Sequence, residues 1–254
     1  MRYQRFSHYF AASAVAAVCI TLAAANAVRA AECPIPVNEF KPDPTATTEF
    51  LRNRCHFAST GWNPFFILQP GYQIVMESDE EVDVMTVTDR TKTIDGVEVR
   101  VVLDLGFVKE GKKLVLQERT QDYYAVCRPN NSVFYFGEDT DELEDGQVVD
   151  KTGWHAGVHG ARPGIIMPGT VLIGAKYYEE IAPADEALDK AKITSVKRGC
   201  EAGDFSFPKR ICVTTTNTSD CESGTETKVY VAGIGPVIDE DLEIVSFGFV
   251  DDDN

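Results

Sequence analysis

The segment Gly153 to Gly169, "GWHAGVHGARPGIIMPG", concentrates the residue types most able to do chemistry. His155 and His159 stand four apart, beside Trp154 and Arg162. An imidazole titrates near neutrality, so two of them with a carboxylate in reach make a general acid–base pair or two metal ligands. On a helix that spacing would aim both rings at one point. Five glycines and two prolines instead favour an irregular loop, where no such alignment follows. No carboxylate lies within the segment, so a partner must come from elsewhere, from Glu138, Asp139, Glu179 or Glu180. No metal site is assigned, and a folded surface loop is the plainer reading of the same residues.

Other chemistries leave weaker traces. The run Glu138, Asp139, Asp141, Glu142, Glu144, Asp145 invites a calcium loop, but Leu143 sits where an oxygen ligand is required, so a solvated hairpin is expected. Asp79–Asp83 and Asp239–Glu243 read the same way. There is no G-x-S-x-G elbow, and carboxylate pairs for sugar hydrolysis arise by chance in so acidic a chain. No cofactor motif is found. Aromatic residues cluster at Trp62, Phe65, Phe66, Tyr123, Tyr124, Phe134, Tyr135, Phe136, Tyr177 and Tyr178. Neighbouring aromatics on a strand point to opposite faces, so most pack in a core while some are free to line a cavity. The candidate ligand-binding set is therefore Trp154, His155, His159, Arg162, Tyr177 and Tyr178.

The elements that must position these residues are strands. In "VEVRVVLDLGFV", Val97, Val99, Val101, Leu103, Leu105 and Phe107 share one face, opposite Glu98, Arg100 and Asp104, which predicts a half-buried strand with its polar side to solvent. Asp95-Gly96, Glu110-Gly111 and Asp145-Gly146 supply hairpin turns between such runs. Strands are predicted near residues 72–78, 82–88, 97–107, 113–121, 123–127, 133–136, 147–150, 175–181, 193–197, 211–216, 227–231 and 244–249. Helices are expected only at 47–54, capped by Thr47, and at 183–191, opened by Pro183. The fold class is all-β and mainly antiparallel: a curved sheet, half-barrel or sandwich with one or two short helices.

The first residues carry Arg2 and Arg5, an apolar run from Phe10 to Ala25 and small residues at Ala30, the pattern of a secretory signal peptide spanning residues 1–30. Cleavage leaves a single β-rich domain, 31–254, with no integral membrane segment, placed in the periplasm or outside the cell. It removes three arginines and no acid, taking the formal charge from −16 to −19. So acidic a chain repels phosphate backbones, which excludes nucleic acid as a partner and leaves cations and neutral or lipophilic small ligands. Six cysteines remain, an even number that predicts up to three disulfides in an oxidising compartment. Cys33 with Cys55, and one pair among Cys200, Cys212 and Cys221, are expected; Cys127 is left either paired or as a buried thiol.

Taken together, "DYYAVCRPNNSVFYFGED", "DGQVV", "GWHAGVHGARPGIIMPG", "GAKYYEE" and "VYVAGIG" resemble a set of secreted bacterial β-rich proteins. That set shares a YFGE strand and a W-x-A-G-V-x-G-A-x-P-G-I-I-M-P loop. The resemblance covers about Val75 to Gly235 and implies a secreted β fold without implying any catalytic residue. His155 and His159 stand where that pattern has acidic residues, and Cys127 where it has a polar one. The shape it implies resembles curved sheets that wrap an apolar ligand in periplasmic carriers. The expected function is an exported binding protein for a neutral or apolar small ligand. The alternative is a secreted hydrolase or lyase using His155 and His159 with a nearby carboxylate.

Overall fold

The computed structural model describes residues 33–250; the expected signal peptide and the acidic run Asp251 to Asp253 lie outside them. Fifteen strands form one sheet: β1 (Phe57–Ala58), β2 (Tyr72–Glu77), β3 (Glu81–Ile94), β4 (Val97–Glu110), β5 (Lys113–Cys127), β6 (Ser132–Glu144), β7 (Gln147–His155), β8 (Arg162–Met167), β9 (Lys176–Tyr178), β10 (Glu180–Ile181), β11 (Asp189–Arg198), β12 (Ile211–Ser219), β13 (Glu226–Val231), β14 (Gly235–Asp239) and β15 (Leu242–Phe249). The order across it is β9-β11-β12-β13-β14-β15-β2-β3-β4-β5-β6-β8-β10, with β1 on β5 and β7 on β6. All of these pairings are antiparallel, as the alternation and hairpin turns dictate. The first and last strands in that order are separated in sequence by Glu179 alone, so the sheet curls until it is nearly closed into a barrel.

A short hairpin, Gly61–Asn63 with Phe66–Leu68, fills one end. Phe65, Phe66, Ile67 and Leu68 are buried, with the Phe66 ring 4.9 Å from that of Tyr124. Asn63 is fully buried and anchors the plug by donating to the carbonyls of Asn131 at 2.8 Å and Pro168 at 3.2 Å.

Neither expected helix forms. Residues 47–54 run extended past β9: Thr47 N–H donates to Lys176 O and Tyr178 N–H to Thr47 O, and only a 3-10 turn, Arg52–Arg54, follows. Pro183–Asp185 is likewise one 3-10 turn, ended by Glu186 at φ 65°, and β11 takes the chain from Asp189. In both places pairing to the sheet outweighs weak local helix propensity. The predicted strands 113–121 and 123–127 are one strand with a bulge between Asp122 and Tyr124. The Gly-rich segment is not wholly a loop, because β7 runs through His155 and Arg162–Met167 form β8.

Three disulfides link Cys33 to Cys221, Cys55 to Cys127 and Cys200 to Cys212. The last is one of the pairs expected. Cys33 with Cys55 is not formed, because the Pro-rich segment between them crosses the molecule. Ile35 N–H bonds to Pro183 O near the closing strands, whereas Cys55 precedes β1, where Phe57 lies opposite Cys127. Among the described residues no helix is long and apolar enough to cross a membrane.

Candidate functional site

Cross-strand register fixes which side chains face the lumen, since residues directly opposite share a face. One wall aligns Met76 with Asp83, Met85 with Asp104, Asp104 with Thr120, Asp122 with Glu138 and Glu138 with Trp154. The other aligns Tyr177 with Ala191, Asn217 and Glu226, and Thr215 with Lys228 and Asp239. The lumen is therefore apolar where the hairpin fills it, at Tyr72, Ile74, Val87 and Val102, and acidic toward the opposite end. Of its carboxyls, Asp122 and Glu179 are buried, and Asp83, Asp104, Glu138 and Glu180 are half-buried.

Hydrogen bonding shows that some of these carboxyls are acids. The Tyr135 hydroxyl oxygen lies 2.6 Å from both Asp122 Oδ1 and Glu138 Oε2. One hydroxyl carries one proton, so one of the two carboxyls must donate the second bond. Burial, reinforced by neighbouring carboxylates, pushes Asp83, Asp122 and Glu180 well above the usual range. Trp154 Nε1 donates to Glu180 Oε2 at 2.8 Å. On the facing wall Asn217 Nδ2 donates to Glu179 Oε2 at 2.7 Å, and Thr215 Oγ1 donates to Asn217 Oδ1 at 2.7 Å. Burial lifts Glu179 to about 8 and Glu226 to about 7, Lys228 opposing both. Lys228 is itself committed to Asp239, at 2.9 Å. Beside them the Tyr177 hydroxyl, on a side chain whose residue is 5% exposed, is buried without a hydrogen-bond partner.

The six residues expected to form one ligand site are divided by the barrel wall. Tyr177 and Trp154 face inward. His155 is on the outer face, its Nε2 3.0 Å from Asp139 Oδ1, and Asp139 also accepts from Lys92 and Tyr123. Those two hydrogen bonds hold the Asp139 carboxyl below its ordinary range, against burial. His159 is 69% exposed, with Nδ1 3.4 Å from Asp185 Oδ1. Both histidines border an open depression of about 150 Å³ that Asp139, Val158 and Asp185 also line. Arg162 turns away to Glu49, 3.1 Å distant. The Tyr178 hydroxyl accepts from Asp43 N–H and donates to Asp220, outside the lumen. Of the four candidate partner carboxylates, Asp139 reaches a histidine; Glu138, next to it on β6, points inward, as do Glu179 and Glu180.

Asp83, Asp104, Asp122, Asn217, Glu226 and Lys228 were not singled out by their pattern. Acids alternating with apolar residues give the same pattern whether their face meets bulk water or a polar lumen. Among the described residues no group of three His, Cys, Asp or Glu side chains is placed to hold a metal ion. The chain matches no protein-family model, no curated protein and no solved structure.

Proposed function

We propose that this is an exported binding protein that holds a small ligand in the acidic half of its barrel. The observation that carries this is the set of enclosed carboxyls in a nearly closed barrel, Asp122 and Glu138 sharing the Tyr135 hydroxyl on one wall and Glu179 bonded by Asn217 on the other. Three disulfides and the secretory leader pattern support export. A neutral or apolar guest is what composition favours; the hairpin already fills the apolar half, so the part of the guest held here is polar. Native mass spectrometry of protein purified from its own host tests the reading. A discrete added mass, weakened by Glu179→Gln, is expected. A wholly ligand-free species that also binds no member of a small-molecule panel would overturn it.

The second reading, a hydrolase or lyase, is favoured by one arrangement: His155 and His159 border a single depression, each with a carboxylate at 3.0–3.4 Å. It predicts turnover of an ester, glycoside or similar substrate that His155→Ala reduces by at least about a hundredfold. Turnover unchanged in that variant would remove it.

A further inference from the structure

We propose that the plugged end of the barrel docks on the surface of a phospholipid bilayer that carries anionic headgroups. The inference goes beyond the binding-protein reading and does not depend on it. In an antiparallel meander successive turns alternate between the two ends of the sheet, so the topology sorts the turns into two sets. At the end away from the plug, each of the turns 78–81, 110–113, 144–147, 219–226 and 239–242 contains acid. The turns that touch the plug contain none. Asn63 donates to Asn131 O in turn 128–131 and to Pro168 O in turn 168–175, and Gly233 N–H in turn 232–234 donates to Pro64 O.

These elements hold out apolar side chains instead. Ala175 N–H bonds to Leu172 O and Gly174 N–H to Ile193 O, which closes a β-turn with Ile173 at its tip. Leu172 is 63% and Ile173 68% exposed, and Trp62, beside Asn63 on the plug, is 49% exposed. Turn tips ordinarily go to polar residues. Two adjacent branched aliphatics held in water by a hydrogen-bonded turn, with an indole on the neighbouring plug, form a patch suited to a partner.

Charge selects that partner. Arg128 stands in the turn anchored by Asn63, and Arg210 reaches Ala232 O beside the Gly233 that bonds to Pro64. These contacts lie on opposite arcs of the sheet, so cations flank the plug on both sides. In segment 199–210 Gly203 N–H donates to Glu243, toward the acidic end, and the chain returns to the rim at Lys209 and Arg210. Arg128, Lys209 and Arg210 are exposed, and among the described residues none forms an ion pair. Cations around exposed Trp, Leu and Ile match a headgroup layer, where phosphates take the charges and the apolar tips enter the interface. The chain's net negative charge then sets orientation, because its acidic turns face away when the plug faces an anionic surface.

Co-sedimentation of the full mature protein with vesicles of phosphatidylglycerol and phosphatidylcholine, against phosphatidylcholine alone, tests this. Expected are binding to the mixed vesicles at least about tenfold tighter than to phosphatidylcholine, weakened by added salt, and a further loss of about tenfold in Leu172→Asp/Ile173→Asp. Arg128→Gln/Lys209→Gln should weaken it several-fold, and deleting residues 251–254, which removes three acids, should tighten it. Trp62 reports from the docking face itself. The other tryptophan, Trp154, is buried against Tyr135, so vesicles should give a blue shift that disappears in Trp62→Phe. Thermal transitions check that the variants fold. No vesicle binding, equal binding to both compositions, an unmoved Trp62 signal, or a folded Leu172→Asp/Ile173→Asp that binds as the parent does would overturn the inference. So would dimerisation through these residues without lipid, which would assign the face to a second copy. A guest seen by native mass spectrometry in a protein that ignores vesicles would remove the membrane face and leave the binding-protein reading standing.

Discussion

Tyr178 and Glu180 are two residues apart, yet they pair with opposite ends of the same sheet, Tyr178 with Lys190 and Glu180 with Pro163. One extended segment thus closes the barrel, and Glu179, between them, is the residue at the seam. Its carboxyl lies near Asp189, a close neighbour in sequence whose carbonyl accepts from Glu179 N–H, and near Lys228 and Asp239, which are distant in sequence.

The seam depends on a close backbone approach at Gly164. A methyl group there would lie 2.4 Å from the Glu179 carbonyl and 2.5 Å from that of Tyr178. Gly164→Ala should therefore cost about 1–3 kcal/mol, measured as a lowered urea midpoint, because neither backbone segment can move without breaking a strand pairing. A change within about 0.5 kcal/mol, the range of ordinary surface substitutions, would show that the two segments are not packed as described.

Stability should fall as the solution is made alkaline. The folded protein holds the Glu179 proton to about pH 8, against 4.5 for an ordinary glutamate. The neutral carboxyl's contribution is thus complete below about 4.5 and lost as pH rises toward 8, with a slope of at most about 1.4 kcal/mol per pH unit for one group. Urea midpoints at pH 5, 6.5 and 8 should decline in the parent and less steeply in Glu179→Gln. Parallel curves would refute the assignment.

Trp154→Phe should separate packing from hydrogen bonding. It keeps an aromatic ring against Tyr135 and removes the donor to Glu180. The expected loss is about 1–3 kcal/mol, larger at high pH, where Glu180 ionises without its indole partner. A pH-independent loss would assign the effect to packing alone.

The disulfides should differ in weight. Cys33 and Cys221 are 188 residues apart and Cys200 and Cys212 only 12. In the chain-entropy model these closures restrict the unfolded chain by about 5 and about 3 kcal/mol. Replacing the first pair with alanines should lower the melting temperature more than replacing the second. Because β11 to β15 belong to the same sheet as the earlier strands, either loss should shift one cooperative transition and not release a separate part.

Alternation, turn dipeptides and an even cysteine count made the all-β class, most strands and the presence of disulfides readable from the sequence, because all three are local signals. They could not specify which face of a strand is inside. In β4 the apolar residues Leu103, Leu105 and Phe107 are only partly covered and lie on the outer face, while Asp104 looks into the lumen. A period of two is unchanged by turning the sheet over, and only closure through Tyr178, Glu179 and Glu180 decides the matter. Closure also decided the chemistry. Glu138 and Asp139 are adjacent acids in one acidic run, but the wall sends the first to share a proton through Tyr135 and the second to a partly exposed His155. Spacing alone pairs Cys33 with its sequence neighbour Cys55; the path of the segment across the barrel gives it Cys221, 188 residues away, instead.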